Sequence, residues 1–372
     1  MRIGVDGKKA LGNFTGIGNY SRRVINGLLK IGDDVTVYGP RKHNRTAAAQ
    51  ISAAARIVTQ PFSMPGKTGF ELWRAFGLPR RLESDGVDLF HGLSNELPAN
   101  ITSAVCKKVV TIHDLIFLRH PETYPAMMRR TLEAKTRKAC IESDAIVAVS
   151  DWTRRDIVDL YGISPEKIHV IYQSIDPVYF NTVDDAEVDR IRNVYGISGR
   201  YVICVGTIEE RKRACVAVDA LRFLPDDVEA VIVGKRTPYQ QKVEESASVF
   251  GNRVKILNGV PTQDLPALYA GASVALNPSK YEGFGIPVAE ALAIGTPVIA
   301  SKGSCLEEAG GPDSVYLEAD SQSAEWASAI ERILEDDGLS CRMSVSGREY
   351  AARFTDRIQA EQLHSLYMSL VK

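Results

Sequence analysis

An α/β fold built from two doubly wound parallel sheets is the class this sequence predicts, and three observations carry it. Apolar runs of strand length alternate with amphipathic segments of helix length along the whole chain, the signature of parallel strands joined by crossover helices. The 372 residues are too many for one ordinary core and suit two domains of common size. The strand-like runs fall into two groups with a boundary near the stretch 177–200.

The first group comprises 2–5, 35–38, 89–90, 109–112, 145–149 and 169–171; the second comprises 201–205, 229–233, 254–257, 273–277, 297–300 and 314–316. The expected domains are 1–176 and 177–354, followed by a terminal helix over 355–372. In that helix Ile358, Leu363, Leu366, Tyr367 and Leu370 lie mainly on one face, with Thr355 as its cap. Ligands of open parallel sheets sit at the carboxyl ends of the strands, so a substrate is expected in the cleft between the domains.

The most informative element is a helix predicted over 287–294. Pro287 suits a first turn, where a missing N–H does no harm, and Gly295 suits the left-handed residue that ends a helix. The run Tyr281-Glu-Gly-Phe-Gly-Ile-Pro-Val-Ala-Glu290 then sets Glu282 in a loop and Glu290 in the first turns of the helix, eight positions apart. Around Phe284, Gly283 and Gly285 leave backbone N–H groups bare beside a positive helix end, a fit place for a diphosphate. Carboxylates flanking such a cradle are expected to read neutral groups, namely sugar hydroxyls. An isolated glutamate there would be an ordinary dipole-stabilising surface residue.

Other segments add candidates. Val205-Gly-Thr-Ile-Glu-Glu-Arg-Lys-Arg213 delivers Arg211 and Lys212 to a turn after a strand, where basic residues are usually just solvated. Asn13-Phe-Thr-Gly16-Ile-Gly18-Asn-Tyr20 runs from a loop into a helix with Ile17, Tyr20, Val24 and Leu28 on its inward face; the paired glycines permit close backbone approach to a ligand, or simply a tight turn. Position 21 is Ser, so the dinucleotide fingerprint is incomplete and a nicotinamide dehydrogenase is disfavoured. His91 and His113 each follow a strand-like run; His91, Ser94 and Asn95 are acceptor-side candidates, and Asp114 either orients His113 or caps the next segment.

Charged residues make up 24% and hydrophobic residues 45%, ordinary for a soluble protein. No stretch approaches the ~20 apolar residues of a membrane span. The chain opens on a strand-like run rather than a signal peptide, so the cytoplasm is the expected location. The six cysteines show no metal-type spacing, and disulfides are not expected. Net charge of −1 hides an asymmetry: residues 1–175 carry 25 Lys+Arg against 17 Asp+Glu, and the remainder 45−25=20 against 46−17=29. The first half is therefore expected to meet something anionic, either a membrane surface or a phosphorylated acceptor. Scattered basic residues with no recognisable binding module argue against nucleic acid. Segments 70–82 and 124–141 interleave apolar and basic residues; a solvated helix face explains this, as does docking on an anionic membrane.

The Glu-x7-Glu spacing of Glu282 and Glu290, with the lead-in Pro-Ser-Lys-Tyr-Glu-Gly-Phe-Gly and the exit Gly-Thr-Pro-Val-Ile-Ala, resembles the GT-B-fold retaining glycosyltransferases of family 4. The resemblance covers nearly the whole chain and implies that domain 1–176 lies on the acceptor side and that domain 177–354 binds the nucleotide sugar. It implies that Lys212, with Arg211 second, neutralises the diphosphate of a nucleotide sugar, and that Glu282 meets the sugar and Glu290 the ribose. It also implies that Gly16 and Gly18 line the donor phosphate, that His113 contacts the donor sugar near the reacting carbon, and that the terminal helix crosses back to the first domain. Gly283, Phe284 and Gly285 belong to the donor-binding loop. Departures from the pattern are Glu210, where proline is usual, Thr207 in place of an additional arginine, and Gln173-Ser-Ile-Asp176 in place of Asn-Gly-hydrophobic-Asp.

The chain has no Asp-x-Asp pair to hold a metal on a diphosphate, so a metal-free site without a cofactor is expected, with Lys212, Arg211 and helix ends offsetting the charge. The Thr-Ile-His-Asp-Leu-Ile-Phe and His-Gly-Leu-Ser-Asn-Glu-Leu-Pro runs resemble bacterial mannosyltransferases of surface-polysaccharide assembly most. GDP-mannose is thus the first donor expected, with a saccharide or lipid-linked acceptor. A UDP-sugar-using glycosyltransferase, a UDP-sugar epimerase and a two-lobed binding protein without catalysis are the alternatives.

Overall fold

The computed structural model describes residues 1–372. The chain forms two compact units: Met1–Ser174 together with Asp356–Lys372, and Ile175–Thr355.

The first unit holds seven strands: β1 (Arg2–Asp6), β2 (Asp34–Gly39), β3 (Arg56–Thr59), β4 (Leu89–Gly92), β5 (Lys107–Ile112), β6 (Ala145–Ala148) and β7 (Ile168–Val170). They pair in parallel in the order β3-β2-β1-β4-β5-β6-β7. Successive residues serve opposite faces: Leu89, Val109, Ala145 and Val147 join one core layer, while Phe90, Val110, Ile146 and Ala148 join the other. Burial on both sides is why these strands read as continuous apolar runs. β3 escaped that reading because Arg56 and Ile57 are exposed and only Val58 is buried.

The second unit has β8 (Arg200–Val205), β9 (Val228–Val233), β10 (Val254–Leu257), β11 (Val274–Asn277), β12 (Val298–Ser301) and β13 (Val315–Leu317). Their order is β10-β9-β8-β11-β12-β13, again parallel throughout. The chain winds outward from β8 through β9 and β10, then returns to its other side at β11. This makes β8/β11 the topological switch point, as β1/β4 is in the first unit, and loops at such points are where open sheets bind ligands.

The terminal helix Asp356–Val371 belongs to the first unit, as the resemblance implied. Leu363, Leu366 and Tyr367 are buried there, while Ile358 and Leu370 are only half-buried. Polar ties invisible to an apolar pattern also hold it. Gln359 donates to the Tyr172 carbonyl and accepts from Ser174, and His364 lies 2.9 Å from Asp33.

The two interleaved basic segments part company in the structure. In the first, Phe70, Trp73, Leu78 and Leu82 are core residues, and Arg74 is 5% exposed and paired with Asp6 at 2.5 Å. Its Trp73 and Arg74 therefore do not face a membrane; their pattern reflects packing around a buried ion pair. The second forms the helix Ala126–Glu142, which buries Thr136, Ala139 and Cys140 and exposes Met127 and Met128. No helix is long and apolar enough to cross a membrane.

Candidate active site

In the second unit, the loops after β8 and β11 carry the charged candidates. β8 ends at Val205, and Gly206 follows with φ 146°, close against Lys212: a Cβ on this residue would lie 3.2 Å from the Lys212 Nζ. The chain then makes a helical turn over Glu210–Lys212. The two loops are joined through the backbone, with Lys280 N donating to Arg211 O at 2.9 Å, and the Arg211 guanidinium donates to the Tyr281 carbonyl.

Between the loops lies a compact charge cluster. Glu282 Oε1 accepts from Lys212 Nζ at 2.6 Å and from Ser279 Oγ at 2.8 Å, while its Oε2 lies 3.2 Å from Arg211. Arg211 also pairs with Glu209 at 2.5 Å. The side chains of Glu282, Arg211 and Lys212 keep 12%, 13% and 17% of their exposure, so the cluster is largely desolvated yet reachable by a ligand. Burial works to raise the Glu282 carboxyl, but Lys212, Arg211 and Ser279 outweigh it and hold the pKa at about 2. Burial likewise opposes the Arg211 charge, and Glu282 with Glu209 raises its pKa nonetheless. Glu282 and Arg211 are therefore both ionised near neutrality. Ion pairing of Glu282 was not foreseen; the sequence reading had it facing sugar hydroxyls alone, and the signal for its Ser279 partner lay in the Pro-Ser-Lys-Tyr-Glu lead-in.

The helix after β11 spans Ile286–Ile294. Its C-terminus is closed by Gly295, at φ 94°, and by Thr296 N donating back to Ala291 O at 2.9 Å. At the other end Gly285 has φ 107°, and a Cβ there would lie 2.8 Å from Leu306. Gly283 is half-buried beside it. Phe284 differs from what its place in the donor loop suggested, because its ring is 2% exposed and packs edge-on against Phe354 at 5.2 Å; the side chain belongs to the core. Glu290 stands half-buried on the helix, with the Tyr269 hydroxyl 3.5 Å from its Oε2.

In the first unit, His113 follows β5. Its Nε2 donates to the Leu93 carbonyl at 2.9 Å, leaving Nδ1 as an acceptor, and its ring meets Tyr20 edge-on at 4.7 Å. Burial lowers its pKa to about 4 despite the Leu93 carbonyl, so the ring is neutral at neutral pH. Asp114 Oδ1 accepts from Ile116 N at 3.1 Å, which caps the next segment. Asn95 has φ 56°, with its side chain accepting from His113 N at 2.7 Å and donating to Asp114 O. His91 is not an acceptor-side residue. It is fully buried, with Nδ1 2.6 Å from the Tyr367 hydroxyl of the terminal helix and Nε2 2.8 Å from Thr111 Oγ1 on β5, so both ring nitrogens are committed to packing contacts.

The paired glycines also divide. Gly16 is exposed and open around its missing Cβ, whereas a Cβ on Gly18 would lie 1.9 Å from the Asn13 carbonyl oxygen. Gly18 thus serves loop closure and Gly16 keeps an open side. Ile17, expected on the inward face, is only half-buried. Arg22, unnoticed in the sequence, is buried and donates to the Ala10 and Asn13 carbonyls, stitching that loop.

Comparison with known proteins decides the family. The sequence model described as Glycosyltransferase Family 4 matches residues 14–179, and that described as Glycosyl transferases group 1 matches residues 187–350. The chain belongs to glycosyltransferase family 4. This glycosyltransferase is 28% identical over 275 residues to the O-antigen chain mannosyltransferase B of Escherichia coli, covering 72% of this chain and 70% of the relative. It is 29% identical over 258 residues to the D-inositol 3-phosphate glycosyltransferase of Corynebacterium glutamicum (strain R), covering 64% of this chain and 61% of the relative. The alignment thus spans about six tenths of the second relative's length. The crystal structure of Anabaena Alr3699/HepE in complex with UDP and glucose matches with a TM-score of 0.79 at 20% identity, over 99% of this chain and 100% of that one. At that identity the likeness speaks for the GT-B fold.

Proposed function

We propose that this glycosyltransferase transfers a hexose, mannose from GDP-mannose first, with retention of anomeric configuration and without a metal ion. The acceptor in this reading is a saccharide or a lipid-linked saccharide of cell-surface polysaccharide synthesis. The Lys212–Glu282–Arg211 cluster at the β8/β11 switch point is the observation that carries it. There Lys212 serves as the point charge that stabilises the departing diphosphate, Arg211 as its second, and Glu282 as the carboxylate that holds both cations in place and meets the sugar. The Escherichia coli relative, an O-antigen chain mannosyltransferase, supports mannose. UDP and glucose in the Anabaena structure support a second reading, a UDP-sugar donor. Thermal stabilisation by a panel of nucleotide sugars separates the two, since a ligand of the native state raises apparent stability.

Activity is expected to survive excess EDTA, and the product to keep the donor's configuration by NMR. Loss with EDTA and rescue by Mg²⁺ or Mn²⁺ would end the metal-free reading. An inverted product would end the retaining one and turn attention to His113, since both nitrogens of His91 are already committed.

Glu290→Ala is expected to weaken nucleotide binding about tenfold to a hundredfold, the scale of a lost hydrogen bond to a charged group. Glu282→Ala is expected chiefly to slow transfer, because it removes the carboxylate that meets the sugar and fixes the two cations while leaving Glu290 to hold the ribose. Calorimetry on both variants decides the matter: unchanged affinity in Glu290→Ala removes the ribose role.

Cytoplasmic placement with peripheral docking on an anionic membrane completes the proposal. It rests on the helix Ala126–Glu142, where Met127 and Met128 are exposed on the same segment as Arg130, Lys135, Arg137 and Lys138.

A further inference from the structure

A cavity of about 530 Å³ opens in the first unit at the carboxyl ends of β1, β2 and β3, within the ~300–1,000 Å³ range of small-molecule sites. Lys8 and Lys9 reach it from the short helix Gly7–Ala10 after β1, Lys42 from the loop after β2, and Lys67 from the helix Gly66–Leu72 after β3. Gln60 frames it, its side chain accepting from Arg41 N at 2.6 Å and donating to the Gly66 carbonyl at 3.3 Å, and buried Phe70 forms an apolar wall.

The four lysines are not alike. Lys8 is neutralised by Glu71 at 2.8 Å and Glu96 at 2.7 Å. Lys9, Lys42 and Lys67 form no ion pair, although carboxylates are plentiful elsewhere in the unit. Three lysines without a carboxylate partner around one concavity make it favourable to an anion. Beside them lie groups suited to hydroxyls. Asn13 has its Oδ1 occupied by Thr15, but its amide NH₂ makes no bond, and Glu71 lines the opening.

We propose that this cavity binds a phosphorylated saccharide, with Lys9, Lys42 and Lys67 holding the phosphate and Asn13 and Glu71 reading hydroxyls. A phosphate, with about 1.5–2 negative charges near neutrality and three strong acceptor oxygens, matches three lysines better than a carboxylate's single charge. As the acceptor of the transfer, this ligand rests on the function proposed above; as a binding site, it stands on its own residues. The phosphate comes either from a soluble sugar phosphate or from a lipid-linked one.

The test is calorimetric titration of the full chain with glucose 6-phosphate, glucose and glucuronate, in saturating nucleoside diphosphate so that the second unit's phosphate site is filled. Glucose 6-phosphate is expected to bind at least tenfold more tightly than glucose or glucuronate. The Lys9→Gln/Lys42→Gln/Lys67→Gln variant, altered at solvent-accessible side chains, is expected to lose that difference while keeping its melting temperature. Phosphatidylcholine vesicles carrying either phosphatidylinositol or phosphatidylinositol 4-phosphate, which differ by one phosphomonoester, give the second arm. Binding that needs both the lipid phosphomonoester and the three lysines assigns a lipid-linked source, and binding of glucose 6-phosphate without it a soluble one. Equal affinity for glucose and its phosphate in the wild type, with no lysine-dependent vesicle binding, would overturn the site, and so would unchanged glucose 6-phosphate and vesicle binding in the variant. Equal affinity for glucuronate would overturn the phosphate assignment. Failure of the nucleoside diphosphate to bind counts against the donor reading alone.

Discussion

Lys212→Ala is expected to slow transfer about 10²–10³-fold, or roughly 2.7–4 kcal/mol in the barrier, the scale seen when one preorganised charge-stabilising group is removed. The lysine is held for this work. Gly206 lets its chain lie close to the strand end, and Glu282 anchors Nζ at 2.6 Å in a largely desolvated setting. Losing the ammonium therefore removes a fixed charge from where leaving-group charge develops and gives Glu282 one compensating cation fewer. Because the diphosphate carries more localised charge as it departs, kcat is expected to fall further than nucleotide affinity. Lys212→Arg recovers part of the rate, since charge returns with different geometry. Single-turnover kinetics beside calorimetry read the split. Near-wild-type turnover in the alanine variant would move the leaving-group role to Arg211.

Much of this arrangement was written in local chemistry. Pro287 and Gly295 bracket their helix because one has no N–H to lose and the other accepts a left-handed backbone, so the bounds 287–294 differ from the observed Ile286–Ile294 by one residue. Twelve strands were visible as apolar runs, and β3 was not, since Arg56 and Ile57 lie exposed and only one of its four residues is buried. What stayed hidden was pairing between residues distant in sequence. The separation of 70 residues between Lys212 and Glu282 is bridged only because β8 and β11 are neighbours in the sheet. His91 looked like its neighbour His113 in sequence, and only the arrival of Tyr367 from the terminal helix set them apart. Gly18 looked like Gly16 until the Asn13 carbonyl was found against it.

The same blindness to distant partners hid the role of Arg74, and Arg74→Met is expected to destabilise the protein by about 3–5 kcal/mol, the scale for breaking a buried ion pair by removing one member. Arg74 donates through Nε at 2.9 Å and Nη2 at 2.5 Å to Asp6, itself 3% exposed at the end of β1, and lies 3.5 Å from Glu96. Methionine fills similar space but leaves the Asp6 carboxylate desolvated and without its cation. Acid supplies an independent check. Burial works to raise the Glu96 pKa, yet Arg74, Lys8 and Lys135 hold it at about 2, below the unfolded value of roughly 4.3. Its pairing therefore stabilises the native state above about pH 4.3 and is lost as pH falls through about 2. With Arg74 gone, the folded pKa moves toward the unfolded one, so the variant has less to lose. The stability gap between wild type and variant, read by urea unfolding at successive pH values, is expected to narrow as pH falls from about 4.3 through about 2. A loss under about 0.5 kcal/mol at neutral pH, the range of ordinary surface substitutions, together with weakened binding to anionic vesicles, would instead return Arg74 to a membrane-facing role.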